Sequence, residues 1–300
     1  MKHVEGKVAF ITGGASGIGF GMAQVFLKSG MKVIIADVLQ ERLDEAARIL
    51  AASTNRDYHF IKVDVTDRKA MAAAADEAER VFGKVHVLCN NAGVYGNLPI
   101  ESATYEDWDW VLGTNLGGVV NGVVSFLPKM IAHGEGGHVV NTSSMAGIIP
   151  LPSGGGLYAT SKFAVRGLTD SLRLALGAHN IGVSVLCPGM TRSRILEAEQ
   201  HRPGHEPEAA GGDSGKPDLF NPDMADGMDP IALGERVLRG IQSNDAYILP
   251  HGEFKDEVQG LFDDIMAGFP QEKEIAPGRK LFEDMRRKAT ADAKAAIKTD

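Results

Sequence analysis

The sequence predicts an α/β chain folded as one doubly wound parallel sheet, and three observations predict it. Short β-branched runs alternate with helical stretches from the first residues to about residue 250. The runs are apolar throughout rather than at every second position, as in strands covered on both faces. The first run passes directly through a glycine-rich turn into a helix.

Six runs read as strands: Lys7–Thr12, Lys32–Asp37, Tyr58–Val63, Val85–Asn90, His138–Ser143 and Val183–Pro188. Between them the helical patterns are Ile18–Ser29, Gln40–Ala52, Arg68–Phe82, Trp108–His133 and Tyr158–Asn180. Regular alternation implies right-handed crossovers. A further helix, Pro230–Asn244, and a short strand, Tyr247–Pro250, bring the sheet to about seven strands. Two stretches break the rhythm. Residues 194–229, rich in Gly, Pro, Glu and Asp, form a loop long enough to serve as a lid over a substrate. Beyond residue 250 the pattern is helical, with Phe254, Val258, Leu261, Phe262 and Ile265 at helical spacing, then Arg279–Ile297 with few apolar positions. Residues 1–250 therefore read as one domain and 251–300 as a helical extension.

With 300 residues and 44% hydrophobic content, the chain is ample for one sizeable core. A net charge of −8 without a basic cluster argues against nucleic-acid or anionic-membrane partners. No uninterrupted apolar run is long enough to span a bilayer, and MKHVEGKVAF is too short and polar for a signal peptide. Cys89 and Cys187 each end an apolar run and read as buried, reduced thiols, which makes a cytoplasmic location the expectation.

The turn VAFITGGASGIGFG places Gly13, Gly17 and Gly19 where a Rossmann-like βα unit needs tight bending, close approach to a pyrophosphate and close helix–strand packing. It lacks the GK[ST] of a P-loop. Asp37 ends the second strand, where a carboxylate can accept both adenosine-ribose hydroxyls and repel a 2′-phosphate. Its neighbours Ala36 and Val38 offer no cation, so NAD(H) is expected over NADP(H).

Thr12–Gly19, T-G-G-A-S-G-I-G, resembles the TGxxxGxG of the short-chain dehydrogenase/reductase family, and the rest of that family's pattern follows in order over about residues 5–250. Asp64–Val65 resembles the pair that meets the adenine, Asn90–Gly93 the NNAG element, and Asn115, Ser144 and Tyr158-x-x-x-Lys162 the catalytic set. The resemblance also implies cofactor contacts from Ser16, Ile18, Asn91, Ala92, Gly93, Pro188, Gly189 and Thr191, beside Tyr158 and Lys162.

The string YxxxK occurs twice and decides nothing alone. In the strand Tyr58–Lys62 its ends lie roughly 13 Å apart. At the start of a helix, Tyr158 and Lys162 have Cβ atoms roughly 5–6 Å apart. An ammonium that close is expected to lower the tyrosine from its ordinary value of about 10, making Tyr158 a proton shuttle. As the resemblance implies, Tyr158 takes the proton of an alcohol as hydride leaves for nicotinamide C4. Ser144 then holds the alkoxide, Lys162 binds the nicotinamide ribose, and Asn115 positions a relay water. The family's usual serine–tyrosine spacing lands on Met145, which cannot serve. SSMAG favours Ser144 over Ser143, with one extra residue absorbed by Gly154–Gly156.

His201 and His205, in HRPGHE, have no rigid ligand set around them, so no metal is expected. The sequon Asn141-Thr-Ser sits at a buried strand end. The expected substrate pocket is apolar: Val94, Tyr95, Met145, Leu151, Met190 and Ile195, with Ile148 and Ile149, and no charge nearby except Arg192 and Arg194. That lining fits a bulky aromatic or apolar secondary alcohol or its ketone. DWDW, the following N-L-G-G-V-V-N-G and the long loop with R-P resemble the bacterial Cα-dehydrogenases of lignin-derived β-aryl ethers. Rival expectations are a 3-oxoacyl or steroid reductase on the same scaffold, and a non-catalytic NAD-binding regulator. The resemblance further implies a homodimer or homotetramer through Trp108–His133 and Tyr158–Asn180.

Overall fold

All five residues of β1 (Val8–Thr12) are buried, because this strand lies inside a sheet covered on both faces. The computed structural model describes residues 1–52, 55–96, 99–204, 224–270 and 274–297. The remaining strands are β2 (Lys32–Asp37), β3 (Tyr58–Lys62), β4 (Val87–Asn90), β5 (Gly137–Thr142), β6 (Ile181–Leu186) and β7 (Tyr247–Ile248). They form one seven-stranded sheet in the order β3-β2-β1-β4-β5-β6-β7, with every pairing parallel. The predicted doubly wound, Rossmann-like architecture is the one observed. Its order reverses beside β1, the place where such sheets open a crevice for ligand.

Helices α1 (Gly17–Lys28), α2 (Gln40–Leu50) and α7 (Pro230–Ser243) cover one face. Met22, Phe26, Leu43, Leu233 and Val237 pack there on Ile35 and Val140. On the other face lie α3 (Arg68–Phe82), α5 (Gly118–His133) and α6 (Gly156–Leu176). Their Met71, Phe126, Met130 and Leu176 bury Phe10, Ile34 and Leu88. The Phe126 ring is 4.4 Å from that of Phe10, and burying one such ring stabilises the fold by roughly 1.5–3 kcal/mol.

The helix expected from Trp108 begins one turn earlier, as α4 (Tyr105–Leu112), because Thr104 and Asp107 close a capping box. A π-helical turn, Gly113–Gly117, joins α4 to α5. The stretch Tyr105–His133 is long and apolar enough by composition to cross a membrane, with mean hydropathy 1.3. Asn115 and Asn121 interrupt it, in line with the absence of a long uninterrupted apolar run in the sequence. In the fold it lies against the sheet, and Asn121 Nδ2 donates to Val65 O at 2.8 Å.

The expected lid has a stem. Thr191 pairs with Met228, Arg192 N donates to Met228 O at 3.1 Å, and Arg192 forms an ion pair with Asp229. Residues 205–223 of that loop, His205 included, lie outside the described residues. After β7 come α8 (Lys255–Ala267) and α9 (Pro277–Ala295). The inner face of α8 and the turn before it, Phe254, Val258 and Leu261, pack on Met145, Ile148 and Ile149.

Candidate active site

A cleft of about 270 Å³ opens at the carboxyl ends of the central strands, running from Asp37 to Tyr158. Its floor is the turn after β1, where Gly13 (φ 59°) and Gly17 (φ 49°) take the left-handed backbone that glycine tolerates best. A Cβ at Gly13 would stand 3.0 Å from Ala92 Cα, so the turn and the NNAG strand end approach more closely than a side chain permits. Ser16 and Ile18 border this floor, with Asn91, Ala92 and Gly93 alongside. Asp64, Val65 and Thr66 line the end near β3. A slot floored by bare backbone, with a carboxylate at one end and a buried tyrosine–lysine pair at the other, fits a nicotinamide dinucleotide.

Asp37 is 5% exposed. Burial pushes its carboxyl above the usual range, against hydrogen bonds that hold it down. Oδ1 accepts from Leu39 N at 3.1 Å and Oδ2 from Ala15 N at 3.3 Å. Each oxygen keeps a second lone pair for a ligand hydroxyl. The sequence neighbours offered no cation, but the fold supplies two. Arg42 of α2 acts electrostatically on Asp37, and Arg194 lines the same cleft.

Tyr158 and Lys162 occupy successive turns of α6, both buried. The Ser144 hydroxyl accepts from Ala146 N at 3.1 Å and donates to Pro188 O at 3.4 Å, and it stands near enough to Tyr158 to favour the phenolate. The neighbouring Ser143 hydroxyl is committed elsewhere, donating to Lys162 O at 2.7 Å. Lys162 Nζ donates to Thr142 O at 3.0 Å and lies 5.4 Å from the Tyr158 ring centre. The expected depression of Tyr158 is not what the structure shows. Burial pushes it up to about 12, only partly opposed by Ser144, and burial lowers Lys162 to about 8. The cause is the apolar wall of Tyr95, Leu151 and Ile195 around Tyr158, which penalises both charged forms. The Tyr95 ring meets Tyr158 edge-on at 4.9 Å.

Asn115 lies in the π turn and is fully buried. Its Oδ1 accepts from Val94 N at 2.8 Å, while Nδ2 donates to Val94 O at 3.0 Å and Ser161 Oγ at 2.9 Å. It thereby clamps the strand end carrying Gly93 and Val94 to the tyrosine helix. The sequon residue Asn141 is also fully buried, donating to Thr169 Oγ1 at 3.0 Å.

Several expected residues stand behind the cleft wall. Gly19 packs beneath Gly13, and Thr191 forms the loop stem. Gly189 N donates to His251 Nδ1 at 2.9 Å, so this histidine, which sequence reasoning passed over, braces the loop after β6. Met145, expected in the pocket, faces α8 instead, because the turn Met145–Gly147 directs it into that helix's apolar face. Met190 is 40% exposed and Pro188 lines the cleft. The glycines before Tyr158 serve packing. A Cβ at Gly155 would meet Leu151 at 2.7 Å and one at Gly156 would meet Ile100 at 3.1 Å.

The start of the expected lid bridges the cleft. The helical segment Ile195–His201 presents Ile195, Ala198 and His201 to the cleft, with His201 itself exposed. At one end Arg194 pairs with Glu45 at 3.0 Å and Arg42 with Glu197 at 3.5 Å. At the other, Arg202 Nη1 reaches Asp107 Oδ1 at 2.6 Å and its guanidinium lies 5.2 Å from the Trp110 ring. Burial opposes ionisation of Asp107, yet the Thr104 amide and Arg202 hold its carboxyl below the usual range. The signal was in the text: Asp107 and Trp110 belong to DWDW and Arg202 to the loop's R-P.

Residues 7–203 match the short chain dehydrogenase family model. The C alpha-dehydrogenase of Sphingobium sp. (strain NBRC 103272 / SYK-6) is 40% identical over 273 residues, covering 89% of this chain and 87% of the relative. Among solved structures, apo LigO from Sphingobium sp. strain SYK-6 is 39% identical with a TM-score of 0.78, covering 96% of this chain and 98% of that one. A short chain dehydrogenase/reductase from Burkholderia phymatum in complex with NAD is 32% identical with a TM-score of 0.80, covering 92% of this chain and 100% of the other. With the fold, the glycine turn and the Ser144, Tyr158 and Lys162 side chains already in place, these matches make the chain a member of the short-chain dehydrogenase family of oxidoreductases.

Proposed function

We propose that the protein is an NAD-dependent dehydrogenase interconverting a bulky, aromatic or apolar secondary alcohol and its ketone. The observation that carries this reading is buried Tyr158, one helical turn from Lys162 and with the Ser144 hydroxyl nearby, in a cleft that reaches Asp37. A bound nicotinamide dinucleotide supplies the hydride acceptor or donor. Tyr158 Oη receives the alcohol proton, and Ser144 Oγ donates to the developing alkoxide, a contact whose loss typically costs about 10²–10³ in rate. Lys162 Nζ, already turned towards the cleft floor at Thr142 O, holds a ribose hydroxyl and supplies positive charge beside Tyr158. Asn115 fixes Val94 and the helix, and we read it as positioning the water that relays the proton. Asp37 accepts from the adenosine ribose, and Gly19, Gly189 and Thr191 shape the backbone around the cofactor.

Val94, Tyr95, Leu151 and Ile195 form the apolar wall that favours an aromatic substrate, in keeping with the C alpha-dehydrogenase relative. Reduction of a ketone, 3-oxoacyl group or steroid is the second reading. Arg42 beside Asp37 favours it by offering a cation to a 2′-phosphate. We further read residues 1–250 as the catalytic unit and 251–300 as its extension. Association through the outer faces of α5 and α6 is supported by exposed Val120, Val124 and Phe163. Buried, reduced Cys89 and Cys187 support a cytoplasmic setting.

The test is nicotinamide absorbance on mixing with NAD and a panel of benzylic, steroidal and aliphatic secondary alcohols. Fastest turnover is expected with NAD and benzylic alcohols. Preferred turnover of NADPH with ketones would move the assignment to the reductase. Tight dinucleotide binding with no turnover of any alcohol or ketone would make the protein a regulator.

A further inference from the structure

The helical extension carries more exposed apolar surface than an isolated arm sustains in water. No residue of α8 or α9 is buried. Phe262, Ile265, Met266 and Phe269 recur at helical spacing along one stripe, and Leu281, Phe282 and Met285 along another. With Ile275 between them, these eight side chains are 42–67% exposed. At roughly 100 Å² each they amount to about 800 Å², one partner's share of a standard protein interface. A helix in a folded protein normally draws most of its stability from a buried face. Just past the end of α9, Ile297 lies against Gly177 of the body.

The charges say what covers these stripes. In α8 one lysine stands against four carboxylates, whereas α9 has six basic side chains against three acidic ones. Asp256 and Asp263 are seven residues apart along one edge of the α8 stripe, and Arg279 and Arg286 are seven apart beside the α9 stripe. Rows of opposite charge with the same repeat, flanking two apolar stripes, are complementary in the manner of paired helices. We propose that the extension is an exchange arm: α9 of one chain packs on α8 of a second copy of this chain, and reciprocally. The contact is then self-complementary, closed by a two-fold axis. It is separate from the outer faces of α5 and α6 and independent of the proposed reaction. It also reaches the active site, because the inner face of α8 supports Met145, Ile148 and Ile149, which follow Ser144.

The test uses two full-length variants and sedimentation velocity. Asp256→Lys/Asp263→Lys makes α8 basic like α9; Arg279→Glu/Arg286→Glu makes α9 acidic like α8. Each variant alone is expected to sediment as a species half the wild-type mass at the same concentration, with circular dichroism confirming that it is folded. An equimolar mixture is expected to regain the wild-type mass, since each arm then meets an opposite partner on the other chain. Phe262→Asp/Phe282→Asp, which removes the apolar contact while sparing the core, is expected to halve the mass without rescue by mixing. Wild-type mass in every variant alone would overturn the proposal. So would loss of mass that mixing does not restore in the charge pair, the signature of packing within one chain. Wild-type chain that stays monomeric and co-sediments with phosphatidylcholine vesicles would show that the stripes face lipid instead.

Discussion

Removing Arg202 tests whether the bridge over the cleft governs substrate binding. In Arg202→Met the side chain keeps its hydrocarbon against Trp110 but loses its charge. The Arg202–Asp107 contact is 2.6 Å long, and the side chains are only 18% and 10% exposed. An exposed pair of this kind is worth about 0–1 kcal/mol, whereas breaking a fully buried one costs about 3–5 kcal/mol. A largely shielded pair falls between, at about 2 kcal/mol, with roughly 0.5 kcal/mol more from the guanidinium over Trp110. If the bridge must be seated for a large substrate to bind, that loss raises its KM by about 30–70-fold at little change in kcat. Steady-state kinetics with a two-ring benzylic alcohol and a small aliphatic one provide the assay, the small substrate being affected least. Asp107→Asn retains an acceptor for the Thr104 amide, so the double variant with Arg202→Met is expected to cost no more than Arg202→Met alone. Unchanged KM for the large alcohol, or additive effects in the double variant, would refute the reasoning.

Tyr158→Phe is expected to abolish turnover, measured by nicotinamide absorbance, while dinucleotide binding by fluorescence titration stays within about twofold. Asp37→Ala is expected to weaken NAD and to narrow its preference over NADP by about tenfold in kcat/KM, Arg42 remaining as a cation for the 2′-phosphate. Because burial holds Tyr158 up near about 12, alcohol oxidation is expected to accelerate as pH rises. The reverse reaction, which needs the phenol, is expected to stay flat over about pH 6–9 because the phenol remains protonated, and an oxidation rate that does not rise across that range would contradict this. Burial lowers His138 to about 3, its Nε2 lying 2.7 Å from Ser184 Oγ. The unfolded chain therefore binds a proton that the folded one refuses. That contribution to stability is complete above about pH 6.5 and lost on acidification, at up to roughly 1.4 kcal/mol per pH unit. The fall in melting temperature on acidification is expected to be shallower in His138→Gln.

What was legible in the sequence was local. The turn after β1, the i,i+4 spacing of Tyr158 and Lys162, and the apolar runs of the sheet depend on residues near one another in the chain. Each came with its own periodicity or punctuation. Asn115 could be assigned by resemblance, but nothing in GTNLG announces the π turn that aims its amide at Val94. Long-range consequences were hidden. Tyr158 is desolvated by Tyr95 and Leu151, arriving from other loops, and that burial raises it. Arg202 meets Asp107 only because the loop after β6 crosses the cleft, although both letters lay in motifs already singled out. Met145 shows the limit from the other side. Position after Ser144 suggested a pocket wall, and one tight turn sends the side chain into α8.

The stem at Thr191 and Met228 has an evolutionary consequence. Because the excursion leaves and rejoins the body at one point, its two ends are already held together by the fold. Lengthening such a loop costs little, about 0.6 kcal/mol for each doubling, and leaves the strand register untouched. The module between the stem residues is thus free to vary while Tyr158, Ser144 and Lys162 stay fixed on the scaffold. New substrate ranges can arise by exchanging one cassette, with no renegotiation of the chemistry beneath it.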